Sequence, residues 1–304
     1  MTKRPLDAVE PRGLKFDSVL MTDADSKSVF ALCTEPDSSS KAVIVLNKKP
    51  WTEAEVRSIV EGDGTTVLSE FHRNDKFSKY NAQPPAAANE VAITLICPAN
   101  EIDIAKYSQQ TRHAVRETPQ LYAAATLPFV QSLPAKQTEW VRKILRREKE
   151  MEVLMYEDAA CMLLPDTKWD RKDASSLYTL AIIKDGGIRS VRDLTGAHVP
   201  MLRALRDGVQ AELLKRFGVR ADQLRCYMHY LPSFWHAHIH FAALTCPGMG
   251  ASTAAGKAIL LEDIIDWLER DGTHFQTASL SFVVGDRDPL YKRLVESGAL
   301  PGAS

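Results

Sequence analysis

Seven consecutive residues, His236-Ala237-His238-Ile239-His240-Phe241-Ala242, alternate an imidazole with an apolar side chain. Side chains along a β-strand point to opposite faces with a period of two, so the run reads as a strand, expected over residues 235–244. Ala237, Ile239 and Phe241 then face one side, and His236, His238 and His240 form a row on the other. At a rise of about 3.3 Å per residue, neighbours in the row stand about 6.6 Å apart and the outer pair about 13 Å. Three collinear imidazoles need a sharp bulge to share one tetrahedral metal ion. A phosphate suits the row better. Neutral imidazole, with an ordinary pKa near 6.5, is a nucleophile at neutral pH, and protonated neighbours stabilise non-bridging oxygens or a leaving group. Histidines held by unrelated hydrogen bonds are the third reading.

The chain around this run is organised in two parts. Short β-branched and aromatic segments at residues 28–33, 42–46, 66–71 and 91–96, separated by Pro/Ser and Gly/Asp turn clusters, predict a small antiparallel domain with one helix over 52–61 capped by Thr52. Residues 100–134 read as a polar, helical connection. A helix over 137–149 carries Trp140, Val141, Ile144 and Leu145 on one stripe, followed by two short strands at 153–156 and 161–164. A long helix after Thr195 places Val199, Leu202, Leu205, Val209, Leu213 and Phe217 at helical spacing and stops at Gly218, where a C-terminal cap favours glycine. Strands over 224–231 and 235–244, a Gly-rich loop over 247–256, a helix over 258–270 and a strand over 277–284 complete the pattern. The fold class is α+β, with a β-rich domain over residues 1–109 and a second domain over 110–304.

Charge and cysteine usage narrow the functional classes. The 304 residues hold 38 Lys+Arg and 39 Asp+Glu, a formal net charge of −1. Such a balance excludes a general grip on long nucleic acid, which needs many cation–phosphate contacts. Five scattered cysteines without a C-x-x-C pair read as reduced small hydrophobes of an intracellular protein. The N-terminus has basic residues but no apolar stretch after them, and no apolar run reaches membrane-spanning length. The expected location is the cytoplasm, with the nucleus open. The basic run Arg142, Lys143, Arg146, Arg147 and Lys149 reads as a solvated helix face, because it interleaves with the apolar stripe.

The histidine run is similar to the His-φ-His-φ-His-φ-φ motif, φ being apolar, of the histidine-triad (HIT) hydrolases and transferases. The longer string from Tyr227 to Phe241, with His229, Ser233 and Phe234, resembles the scavenger mRNA decapping family within them. So do Leu163 to Trp169, Gly187 to Thr195 and Asn74 to Tyr80, in the same order along the chain. The likeness runs from about Ala42 to about Leu294.

The resemblance implies a HIT-like second domain with antiparallel sheet and helices, and a pyrophosphatase acting on the 5′–5′ triphosphate of m7GpppN caps on short RNA fragments. It implies His238 as nucleophile through a covalent nucleotidyl-histidine, with His236 and His240 orienting phosphates and nucleophile, and with no metal or other cofactor. His229 would line the same pocket, although by itself it reads as a core histidine. Methylated guanine is cationic, so an aromatic face and a carboxylate favour it over plain guanine. By the resemblance Trp140 is the stacking residue and Glu150 takes the guanine edge, whereas Trp140 taken alone is a core residue of its helix. Asp166 and Lys168 match the pair near ribose and phosphates, and Thr167 stands where the family has an aliphatic residue. Asn74, Phe77, Lys106, Ser233 and Lys257 match phosphate contacts. Phe77 lacks the hydroxyl of the usual tyrosine, and Lys257 lacks the fork of an arginine. A homodimer with exchanged N-terminal segments, closing over a cap dinucleotide or short capped RNA, belongs to the same expectation. The rival functions are another HIT hydrolase of dinucleoside polyphosphates or nucleotide phosphoramidates, a cap-binding protein without catalysis, and a metalloprotein built on the three histidines.

Overall fold

The computed structural model describes residues 10–24, 26–62, 67–166, 169–247, 249–250 and 252–301. The chain divides into two compact units, residues 1–110 and 111–304, and its regular elements are helices and antiparallel strands, an α+β fold.

The first unit pairs β1 (Lys15–Asp23), β2 (Ser28–Thr34), β3 (Lys41–Lys48) and β6 (Val91–Ile96) in the order β1-β2-β3-β6. A separate hairpin joins β4 (Val67–Asn74) and β5 (Phe77–Gln83). β1 and β5 have no counterpart in the sequence expectation, because their side chains are mostly solvent-facing and carry no apolar alternation. Thr52 caps the Glu53–Arg57 helix with a reciprocal capping box to Glu55. Buried side chains are few: Ala31, Cys33 and Ala42 form the core cluster, with Leu14, Ile44, Leu95 and Cys97 against it.

The second unit is built on a six-stranded antiparallel sheet. Its order is β13 (Ala258–Leu260), β11 (Leu224–His229), β12 (His238–Ala243), β10 (Tyr178–Ile183), β9 (Cys161–Pro165) and β8 (Tyr156–Glu157). The pleat sorts residues as period two requires. Ile239, Phe241, Ala181, Ile183, Cys161 and Leu163 join one buried cluster with Leu202, Leu205, Val209 and Leu213 of the Val199–Phe217 helix. Their neighbours Met162, Leu164 and Ile182 join a second cluster with Val141 and Ile144 of the Glu139–Leu145 helix. Each large aliphatic side chain so enclosed contributes roughly 1.5–3 kcal/mol. The sheet is therefore clamped from both faces. Gly218, with φ 69°, ends the long helix and donates its N–H to the Leu214 carbonyl at 2.9 Å.

Several expectations change. The polar connection over 100–134 contains β7 (Arg112–Glu117), which pairs with β14 (Leu280–Gly285) in a two-stranded sheet. The helix expected over 258–270 begins at Leu261, after the short edge strand β13. The central strand β10 has no predicted counterpart, because a short continuous apolar run carries no alternation to read. A buried ion pair ties β7 to the Val191–Asp193 turn: Arg192 donates to the Glu117 carboxylate at 2.7 and 3.1 Å and to the Phe275 and Ala278 carbonyls at 2.7 and 2.8 Å. Tyr230 and Thr126 hydroxyls also donate to Glu117. The basic helix face is neutralised locally, with Arg146 held by Glu139 and Glu148 and Arg147 by Glu157. Among the described residues the five cysteines are free thiols, and no helix is long and apolar enough to cross a membrane.

Candidate active site

The strand that carries the histidines is shorter than expected, His238–Ala243. β12 opens at His238, and His236 sits in the bend before it. All three are buried, yet they do not form an even row. The His236 ring is fastened across the sheet, its Nε2–H donating to the Ile183 carbonyl at 2.7 Å. The His236 carbonyl in turn accepts from Nδ1 of His238 at 2.7 Å.

That last bond decides the protonation of His238. A carbonyl oxygen only accepts, so the hydrogen of the neutral ring is on Nδ1 and the lone pair is on Nε2. Nε2 is buried and has no hydrogen-bond partner. Burial lowers the His238 pKa to about 4, because an enclosed imidazolium loses its hydration, and nearby His229, His236 and Lys257 lower it further. At neutral pH His238 is thus an oriented, uncharged imidazole with the lone pair of Nε2 exposed to the pocket. Burial likewise lowers the pKa of His236.

Aromatic rings hold His238 in place. Phe234 stacks on His238 with ring centroids 4.1 Å apart and planes 15° from parallel, and Trp140 meets Phe234 edge-on at 4.8 Å. Trp140 is therefore separated from His238 by one ring, and 38% of its surface is exposed. On the other side His240 stands 5.0 Å from His238 by ring centroids, and His229, from the end of β11, stands 4.4 Å from His240. The His229 Nε2–H donates to the Ser252 carbonyl at 2.8 Å. Nδ1 of His240 bonds the Tyr178 hydroxyl at 2.9 Å, and Tyr227 reaches both Tyr178 and Ser252, at 3.4 and 3.2 Å. Burial raises the Tyr178 and Tyr227 pKa values, and the Asp166 carboxylate adds to the rise. These phenols stay neutral and able to donate.

Lys257 donates its ammonium to the Leu231 carbonyl at 2.6 Å, and burial lowers its pKa. It is close enough for its charge to act on His238. Asp166 follows β9 and is half-buried. Ser233 is exposed in the bend that leads to His236. Glu150 is exposed at φ 61°, five residues beyond the helix that carries Trp140. Asn74, Phe77 and Lys106 are exposed in the first unit, at the ends of the β4–β5 hairpin turn and in the Glu101–Tyr107 helix. Thr167 and Lys168 lie outside the described residues. Phe234, Tyr178, Tyr227 and Ser252 had no assigned role in the sequence reading. Phe234 and Tyr227 lie within the resembling string, but only the folded sheet shows which ring each one touches.

Known sequences settle the family. Residues 12–110 match the family model described as "Scavenger mRNA decapping enzyme (DcpS) N-terminal", and residues 139–256 match "Scavenger mRNA decapping enzyme C-term binding". The chain belongs to the scavenger mRNA decapping enzyme family. The m7GpppX diphosphatase of Caenorhabditis elegans is 36% identical over 287 residues, 93% of this chain and 91% of its own length. That of Homo sapiens is 35% identical over 296 residues, covering 94% and 86%. That of Schizosaccharomyces pombe is 32% identical over 295 residues, covering 94% and 95%. In this scavenger decapping family member, His238 and His240 are the two members of the histidine run that share a pocket with His229, and His236 acts on that pocket through its carbonyl.

Proposed function

We propose that this scavenger decapping enzyme hydrolyses m7GpppN caps on short RNA fragments or cap dinucleotides, with His238 Nε2 as the attacking atom. The observation that carries the assignment is the locked Nδ1–H of His238, which leaves a bare, uncharged Nε2 in a buried site. Nε2 attacks the phosphorus next to 7-methylguanosine and forms an N–P bond. The P–O bond to the adjoining phosphate breaks, and the RNA leaves as a 5′-diphosphate carrying the electron pair. Water then attacks the same phosphorus, the N–P bond breaks back to His238, and 7-methyl-GMP is released with the proton passing to solvent. His240 donates Nε2–H to a phosphate oxygen when Tyr178 donates to its Nδ1, and Lys257 supplies positive charge. His236 positions the nucleophile. Fixed donors supply the charge stabilisation, so the reaction proceeds in chelator.

Trp140 stacks on the methylated base in this reading, since its exposed face adjoins Phe234, and Glu150 and Asp166 take polar edges of the nucleoside with Lys168 beside the phosphates. Ser233, His229, Asn74, Phe77 and Lys106 complete the substrate contacts. The active form is a homodimer with exchanged N-terminal segments. The apolar side chains that the first unit leaves exposed, Phe16, Trp51, Phe71 and Phe77 among them, support a second copy as their cover.

The test is incubation with a methylated cap dinucleotide and chromatography of the products. Wild-type protein yields 7-methyl-GMP, and His238→Asn loses at least about a thousandfold in kcat with its thermal midpoint retained. Wild-type-like turnover by the variant would overturn the nucleophile assignment. Equal rates on methylated and unmethylated dinucleotides would instead assign the site to a general dinucleoside polyphosphate hydrolase, and tight binding with intact cap to a non-catalytic binder.

A further inference from the structure

The imidazoles that converge are not the three of the alternating run. His229, His238 and His240 each present one ring nitrogen, and the three atoms lie within 4.8 Å of one another in a buried pocket. Each ring is also bonded through its other nitrogen to an oxygen: His238 Nδ1 to the His236 carbonyl, His229 Nε2 to the Ser252 carbonyl and His240 Nδ1 to the Tyr178 hydroxyl. Histidines that hold metals are oriented in this manner, with an oxygen fixing one nitrogen so that the lone pair of the second is aimed at the ion. For His229 and His238 the carbonyl dictates that tautomer. A hydroxyl both donates and accepts, so Tyr178 serves either tautomer of His240.

We propose that His229, His238 and His240 bind one Zn²⁺ ion per chain, and that the bound ion silences the enzyme by occupying Nε2 of His238. Zinc suits imidazole, and three protein nitrogens with a fourth position left to water is a common zinc environment. Zn–N bonds of about 2.0–2.1 Å require the three nitrogens to draw together from their present spacing, which small rotations of the rings supply. His236 is not a ligand, since its Nε2–H is committed to the Ile183 carbonyl. The inhibitory part rests on His238 being the nucleophile of cap hydrolysis; the binding part does not.

Chelator-treated full-length protein titrated with Zn²⁺ in a calorimeter should bind one ion per chain at this site. His229→Gln and His240→Gln should each weaken binding by at least about tenfold, and His236→Gln should leave it within about twofold. Because a variant can misfold, Co²⁺ titration of the unaltered protein supplies a second reading. Visible absorption of a four-coordinate nitrogen-ligated ion is expected, and its absence would overturn the proposal. So would zinc affinity that survives His229→Gln and His240→Gln, or that falls with His236→Gln. In the cap assay, rates should be unchanged by EDTA and should fall with added Zn²⁺ at the midpoint measured by calorimetry. Zinc binding by a protein that hydrolyses no cap would leave the metal site standing and reject the decapping mechanism. Undiminished hydrolysis with zinc bound would reject the silencing.

Discussion

The two units of this chain solve the problem of burying a sheet in different ways. The six-stranded sheet of the second unit is covered on both faces, by the Val199–Phe217 helix on one and the Glu139–Leu145 helix on the other. Among the described residues of the first unit the buried cluster is three small side chains, and β5 is exposed along its whole length. Phe71 and Phe77 on the hairpin are 60% and 63% exposed. Close packing fixes side chains in single rotamers, and a nucleophile needs its ring held to within a fraction of an ångström. The buried histidines accordingly sit where packing is two-sided, and the exposed aromatic side chains sit on the first unit.

The sharpest way to break that contrast is to attack the buried ion pair of the second unit. Glu117→Ala removes the partner of a fully buried Arg192, whose side chain is 1% exposed, and leaves its charge uncompensated. A loss of roughly 3–5 kcal/mol is expected, read from the urea midpoint; a loss under about 1 kcal/mol would show that the network is dispensable.

Phe234→Ala tests packing at the nucleophile itself. Removing the stacked ring should lower kcat about 10- to 100-fold, the scale of a roughly 1 Å misplacement. It should also admit water to His238. The folded pKa lies below the ordinary value, so the neutral nucleophile persists in acid until about 4, and the acid limb of kcat/KM for the wild type is expected there and not near 6.5. In the variant that limb should move up toward the ordinary histidine value. A kcat loss with an unmoved limb would mean that Phe234 only fills space.

The same depressed pKa has a consequence for stability. The unfolded chain takes up a proton on this histidine as pH falls through about 6.5, and the folded chain does not until about 4. Stability contributed by neutral His238 is therefore complete above about 6.5 and lost progressively between those values, so urea midpoints should fall across that window less steeply in His238→Asn. The smallest effect is expected in the first unit. Phe71→Ser should leave the circular dichroism spectrum unchanged and shift sedimentation toward a lighter species, whereas an unchanged sedimentation profile would mean that the hairpin is not a dimer surface.

How much of this was legible depended on whether the signal was local. Alternation through Ala237, Ile239 and Phe241 announced a strand with one face in the core, since period two is set by the backbone alone. Thr52 and Gly218 announced helix ends for similar reasons, through a side-chain oxygen and a positive φ. β7 was hidden, because in the two-stranded sheet with β14 several of its side chains face solvent and Arg112-His113-Ala114-Val115-Arg116-Glu117 looks like polar linker. Tyr178 to Ile183 was hidden for the opposite reason, being buried throughout or nearly so.

The sequence by itself determined which family and chemistry are present: a run of imidazoles beside a strand, and resembling segments in family order. Tertiary structure decided which imidazoles work together. His236 turned away to bond Ile183, His229 came in from a neighbouring strand, and Phe234 folded over His238. Their contacts join residues as far apart in the chain as Ile183 and His236, Tyr178 and His240, or Trp140 and Phe234, and spacing along a strand carries no information about partners brought across a sheet.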